Sequence, residues 1–209
     1  MLSSKRVVLP LVGSSFLPGK AKETIEEIED QELAQIAWAE YYFFSAKAKE
    51  CVEIVEKYLN HEDVILRLSA DMLYTFSNLT LGDAFAAQCA REDVYQCFEK
   101  IMKENTLIEE KASCVFAYYV ISIFIHIPPQ EEIPPLEQYI SYLPIGQRLF
   151  AISLLAHQTY LKQEYAKAKG IVQGAFFMAD GIYPIAMTYL NCVQAMCQIN
   201  LKEQEEAIQ

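Results

Sequence analysis

The closest approach to a nucleotide site in the sequence is the stretch VGSSFLPGKAKE, residues 12–23. A phosphate loop needs G-x-x-x-x-G-K-[ST]. Four residues between the glycines shape the N–H cradle, and the last hydroxyl reaches magnesium. Here five residues separate Gly13 from Gly19, and Ala21 stands where the hydroxyl belongs. Pro18 withdraws one more N–H. Only Lys20 fits, so the stretch reads as a turn before a helix.

The other reactive side chains form no recognisable catalytic pattern. His61 sits in a loop before Glu62-Asp63. His126 ends an apolar run ahead of two prolines, where it reads as a helix cap and dipole partner. His157 has no Ser or Cys nucleophile predictable beside it, so a hydrolase arrangement has no support. The acidic pairs Glu26-Glu27, Glu109-Glu110, Glu131-Glu132 and Glu205-Glu206 fall on polar faces or in loops and read as solvated surface. The cysteines, at 51, 89, 97, 114, 192 and 197, make no C-x-x-C and no Cys/His zinc spacing, so no metal site and no cofactor is expected. Most occupy positions where a helix places a small buried residue, which fits core thiols in a reducing cytoplasm.

Composition narrows the partners. The chain has 209 residues, with 17 Lys and Arg against 28 Asp and Glu, for a net charge of -11. Nucleic-acid binding draws on cations that neutralise phosphates, so direct DNA or RNA binding by this segment is not expected. An anionic membrane surface is disfavoured on the same grounds. The longest apolar run, CVFAYYVISIFIHI, is 14 residues, short of the roughly 20 that a bilayer needs. It reads as a buried helix. The Lys5-Arg6-VVLPLVG segment is too short and too broken by Pro10 for a secretory signal.

The elements that would position any site are helical. Residues 1–22 carry Pro10, Gly13, Pro18 and Gly19 and no clear period, so they read as an extended arm. Residues 23–209 read as one helical domain. QELAQIAWAEYYFF places Leu33, Ile36, Ala37 and Tyr41 on one face. After a break at Ser45-Ala46, AKECVEIVEKYL places Cys51, Ile54, Val55 and Tyr58 on another. Helices follow over 62–81, 84–103, 109–126, 136–142, 146–162 and 165–178. The next begins at Pro184 and runs to about Asn200. Gly82-Asp83 is a break, and IPPQEEIPP is an extended crossover.

Paired helices raise the question of a repeat. LRLSADMLYTFSNLTLGDAFAA aligns with QRLFAISLLAHQTYLKQEYAKA at an offset of 81 residues: Arg67 with Arg148, Leu68 with Leu149, Ala70 with Ala151, and Ala87 with Ala168. The first unit joins with Cys51 at the place of Ala87 and Ala39 at that of Thr75. The last joins with Ala207 at the place of Ala168 and Ala195 at that of Ala156. Small residues there allow two helices of a pair to approach closely.

Trp38, Ala39 and Tyr42 before Cys51, and Leu155-Ala156 before Tyr165, Ala168, Val172 and Ala175, resemble the tetratricopeptide repeat. The matches are partial, and the units are longer than that repeat's roughly 34 residues. AEYYFFSAKAKECVEIVEKYL, VILRLSADMLYTFSNLTLGD, PPLEQYISYLPIGQRLFAISLLAHQTYL and PIAMTYLNCVQAMCQINLKEQEEA resemble the MalT-like helical-repeat sensor region of LuxR-type bacterial transcription regulators. The resemblance covers residues 30–209. It implies an all-α tetratricopeptide-like superhelix of antiparallel helix pairs that receives a signal or partner and passes it to a DNA-binding helix-turn-helix. No such module is present here. The chain ends at KEQEEAIQ, partway into a repeat, so a longer regulator is expected. The alternative is a free-standing adaptor.

In the repeat's register the concave groove receives Glu40, Phe44, Phe76, Leu79, His157, Tyr160, Tyr189 and Met196. They would suit a protein or peptide segment, or a small-molecule effector. The competing reading of each is ordinary core between repeats. Arg67 and Arg148 occupy equivalent helix starts, where the dipole does not favour a cation. A neighbouring carboxylate, loop carbonyls or an anionic ligand should hold them. Self-association as a homodimer through the C-terminal end is a further expectation. Binding, not catalysis, is the expected activity.

Overall fold

The computed structural model describes residues 18–103, 106–125, 127, 133–179 and 184–201. Among these every regular element is helical, and the chain divides between Leu143 and Pro144 into two compact units. The first holds α1 (Pro18–Glu26), α2 (Gln31–Phe44), α3 (Ala48–Val55), α4 (Val64–Leu81), α5 (Ala84–Lys103) and α6 (Ile108–Phe124). The second holds α7 (Ile145–Leu161), α8 (Tyr165–Met178) and α9 (Pro184–Asn200). Where one helical domain was expected over 23–209, the helices group into these two units.

The arm expected over 1–22 also changes: its last residues are helical, from Pro18 onward. Pro is well placed at a first helical position, where its missing N–H has no intrahelical partner to lose. Ala21 and Ile25 of α1 bury against Ala37, with Trp38 and Tyr41 packed around them. Residues 1–17, and with them Gly13, lie outside the described residues.

Two helix starts are set by the same chemistry. Asp30 Oδ1 accepts the N–H groups of Glu32 (3.1 Å) and Leu33 (3.2 Å) at the head of α2. Asp63 Oδ1 accepts those of Ile65 (2.9 Å) and Leu66 (3.2 Å) at the head of α4. Each satisfies N–H donors that the helix leaves over. Asp63→Ala should lower stability by about 1 kcal/mol in urea denaturation. An unchanged midpoint would show that the cap contributes nothing.

Three helix ends are also alike. The α2–α3, α4–α5 and α7–α8 turns each pass through one left-handed residue: Ala46 (φ 59), Gly82 (φ 87) and Gln163 (φ 64). In each turn that residue's N–H bonds three positions back, Ala46 to Phe43 (3.1 Å), Gly82 to Leu79 (3.2 Å) and Gln163 to Tyr160 (2.8 Å). The next N–H bonds five back, Lys47 to Tyr42 (2.9 Å), Asp83 to Asn78 (2.8 Å) and Glu164 to Thr159 (3.3 Å). This double closure is the Schellman motif. Gly82 and Gln163 stand 81 positions apart, the same offset as Arg67 and Arg148.

The small residues aligned by that offset are interior. Ala39, Cys51, Thr75, Ala87, Ala156 and Ala168 are all fully buried. Ala195 is only half-buried, and Val193 and Cys197 take the interior of α9 instead. Ala207 lies outside the described residues. Within each unit neighbouring helices pack in chain order; in the first α4 also packs on α2 and α6, and in the second α9 also packs on α7.

The expected buried helix is α6: Cys114, Val115, Phe116, Ala117, Tyr118, Val120 and Ile121 are all interior. Arg91 of α5 ties to it, its guanidinium over the Tyr118 ring (4.9 Å) and its Nε donating to Ser122 Oγ (3.0 Å). His126 lies outside the described residues. The helix expected over 136–142 is instead two 3-10 turns, Leu136–Gln138 and Ile140–Tyr142. Seven residues between Pro135 and Leu143-Pro144 are too few to nucleate an α-helix, and Pro144 draws Leu143 into extended backbone. Among the described residues no helix is long and apolar enough to cross a membrane.

Candidate functional site

The first unit contains an open cleft of about 320 Å³ beside the start of α2. Gln31, Ala34, Gln35 and Trp38 line it at helical spacing, with Glu32 beside them. Ile28 enters from the α1–α2 connection, and Tyr58 from the 3-10 turn Glu56–Tyr58 that follows α3. The Asp30 cap fixes where α2 begins and so which side chains face the cleft.

Its electrostatics are negative. Burial pushes the Tyr58 phenol above its ordinary value, and the Glu32 and Asp30 carboxylates push it further. Glu32 Oε1 lies 3.1 Å from His61 Nε2. The Asp63 N–H donates to His61 Nδ1 at 3.1 Å. Nδ1 is therefore an acceptor, and Nε2 bears the proton directed at Glu32. The Tyr58 and His61 rings lie 5.6 Å apart. On the other side, Trp38 meets Tyr41 edge to face at 5.6 Å, and Lys22 Nζ stands 5.6 Å from the centre of the Tyr41 ring. Aromatic faces beside a carboxylate, with two amides to direct hydrogen bonds, suit a cationic group.

A second polar group lies inside the same unit, between α4 and α5. Arg67 and Asp71 are one turn apart on α4, as Asp93 and Cys97 are on α5. Arg67 grips Asp93 with both arms of its fork: Nε donates to Oδ2 (2.7 Å) and Nη2 donates to Oδ1. Asp71 is 1% exposed, and its Oδ2 accepts from no N–H or O–H donor, the side chain's polar neighbour being the Asp93 carboxylate. Burial first, and the nearby Asp93 carboxylate second, hold the Asp71 carboxyl well above its ordinary value of 3.8. Burial also pushes the Cys97 thiol up to about 12. Cys114 of α6 is raised too, by burial and then by Cys97 and Asp71.

The residues expected to line one concave groove separate between the two units. In the first, Glu40 differs from the expectation: at 1% exposed it belongs to the interior and not to an open face. It projects toward the buried Cys51 and adds to the rise of that thiol to about 11. Phe44 and Phe76 belong to an aromatic cluster. Phe44 packs on Phe43 (5.1 Å), and Phe76 packs on Phe43 (5.9 Å) and on Phe124 of α6 (4.8 Å). Leu79 is half-buried nearby on α4. In the second unit, His157 stacks on Tyr160 (6.4 Å), which packs on Tyr165 (5.3 Å) and accepts a hydrogen bond from Asn200 (3.0 Å). Tyr189 meets Phe150 edge to face (5.2 Å), and burial raises its phenol. Met196 is half-buried, and its carbonyl accepts from Asn200 (2.9 Å). Arg148 is half-buried in the first turn of α7.

The cleft was not among the expected sites; of the cluster only Arg67 was, with a neighbouring carboxylate as one of its expected partners, and Asp93 stands in that place. Trp38 and Tyr58 read in sequence as packing residues. A usable signal did exist for the cluster. In VILRLSADML an Arg and an Asp interrupt a largely apolar run at the spacing that puts them on one helix face. Comparison with family models, with curated proteins and with solved structures finds no match to this chain.

Proposed function

We propose that this chain is a binding protein whose first unit receives a Lys or Arg side chain of a partner peptide segment in the cleft of Trp38, Tyr58 and Glu32. The carrying observation is that two aromatic rings and a carboxylate converge on one opening. The ring quadrupoles and the carboxylate attract the same charge. The net charge of -11 steers a basic segment toward the surface. The groups in the cleft are recognition groups: π faces, amides and one carboxylate already held in place by His61.

The architecture proposed with it is a tetratricopeptide-like stacking of helix pairs. The packing of α2 on α4, α4 on α6 and α7 on α9, with three like Schellman turns, supports that reading. The resemblance to LuxR-type sensor regions supplies a setting. There, occupancy would bias an attached DNA-binding domain by population shift. The same cleft would serve a free-standing adaptor.

Trp38 is the only tryptophan in the chain, so its fluorescence reports on the cleft alone. An arginine-containing peptide should quench it saturably, more weakly as salt rises. The same peptide with Arg replaced by Gln should not. Glu32→Gln and Tyr58→Ala should each weaken binding about tenfold, given the roughly 1–2 kcal/mol of a desolvated cation–π or charge pair. Equal responses to both peptides would overturn the reading.

A further inference from the structure

The geometry points to a divalent transition-metal site, of the zinc class, at Asp71, Asp93 and Cys97. One carboxylate oxygen from each aspartate and the Cys97 sulfur lie within 4.8 Å of one another. Asp93 and Cys97 stand at i and i+4 on α5, and Asp71 reaches them from α4. Around a tetrahedral ion with bonds of about 2.0–2.3 Å, donor atoms sit about 3.3–3.8 Å apart. Small side-chain rotations close the difference.

Three features favour an ion over a merely structural polar pair. Asp71 Oδ2 is buried and meets no hydrogen-bond donor. A buried polar atom without a partner is costly, and a coordinated cation removes that cost. The donor set is mixed, hard oxygen with soft sulfur, which suits a borderline ion such as zinc rather than calcium or magnesium. Charge also balances: two carboxylates and a thiolate are offset by a divalent ion and the Arg67 guanidinium. Arg67 would then be the positioning residue, orienting the Asp93 ligand from outside, as hydrogen-bond partners of ligating carboxylates do. Asp93 is half-buried and gives the ion a route in.

Cobalt(II) is the probe. The full chain would carry Cys89→Ser and Cys192→Ser, because those two thiols are exposed and could bind metal adventitiously. One equivalent of cobalt should produce a thiolate-to-cobalt charge-transfer band in the near ultraviolet and the visible bands of a four-coordinate ion. Zinc should abolish both at one equivalent. Cys97→Ser should remove the charge-transfer band, and Asp71→Asn should weaken binding at least tenfold. Should Cys97→Ser fail to fold, X-ray absorption of the zinc-loaded parent reads the same point through a sulfur shell near 2.3 Å. The absence of a thiolate band, its survival in Cys97→Ser, or a zinc shell of nitrogen and oxygen alone would overturn the site. The Asp71–Asp93 contact would then be a carboxyl–carboxylate pair.

Discussion

Replacing Arg67 by Met is expected to lower the unfolding free energy by about 3 kcal/mol. Its side chain is 23% exposed and that of Asp93 is 26% exposed, so solvent screens the pair only in part. Removing the guanidinium leaves Asp93 charged beside Asp71, with nothing to offset it. The loss is that of an uncompensated charge, not the net worth of an ion pair, which is smaller. Two further variants separate these quantities. Arg67→Met with Asp93→Leu should recover more than half of the loss. Arg67→Lys should recover little, because an ammonium cannot reproduce the two-armed grip. Urea denaturation with an unchanged slope is the measurement. A loss below about 0.5 kcal/mol would place the pair among surface bridges of no consequence.

The helices were largely legible because their signals are local. The ends of α2, α5 and α8 follow from periodicity, and Pro184 marks the start of α9. The turns were legible unevenly. Gly82 announces a left-handed residue, but Ala46 and Gln163 adopt the same φ without any glycine to signal it. L-residues take that conformation at a cost of about 1–2 kcal/mol, which surrounding structure must offset. The repeated offset of 81 residues was the better guide, since it joins Gly82 to Gln163 as well as Arg67 to Arg148. The 3-10 turns before Leu143 were missed because apolar spacing alone does not separate a short α-helix from two tight turns.

The sites were less legible, for a physical reason. A register projection assigns faces from an idealised repeat, and it sent Glu40 outward. The actual neighbours of α2 cover that face, so Glu40 is interior. The cleft depends on Tyr58 arriving from after α3, and the cluster on α5 lying against α4. Both are tertiary facts. What sequence did hold was the polar pair Arg67 and Asp71 inside an apolar stripe. Such a pair must find a partner somewhere in the interior.

Asp71 gives the second large effect, and its sign is the opposite of ordinary acid denaturation. Its carboxyl is held well above 3.8 in the folded chain, mainly by burial and next by Asp93. The charged and titratable groups around it are Asp93, Arg67, Cys97 and Cys114. Between 3.8 and the folded value, the native state holds a proton that the unfolded chain has released. The unfolding free energy therefore falls as pH rises through that window, by up to about 1.4 kcal/mol per unit, and levels off above the folded value. The contribution is fully present below the unfolded value. Asn has nearly the same shape and no proton to lose, so Asp71→Asn should remove this slope. In metal-free protein, with chelator present, the difference between parent and variant should move in favour of the variant as pH rises from 4 toward 8. Other carboxylates are common to both proteins and cancel. Asp93 keeps its Arg67 partner in both. Parallel stability curves across that range would mean that Asp71 titrates normally, and that burial at this position is relieved by a path to solvent.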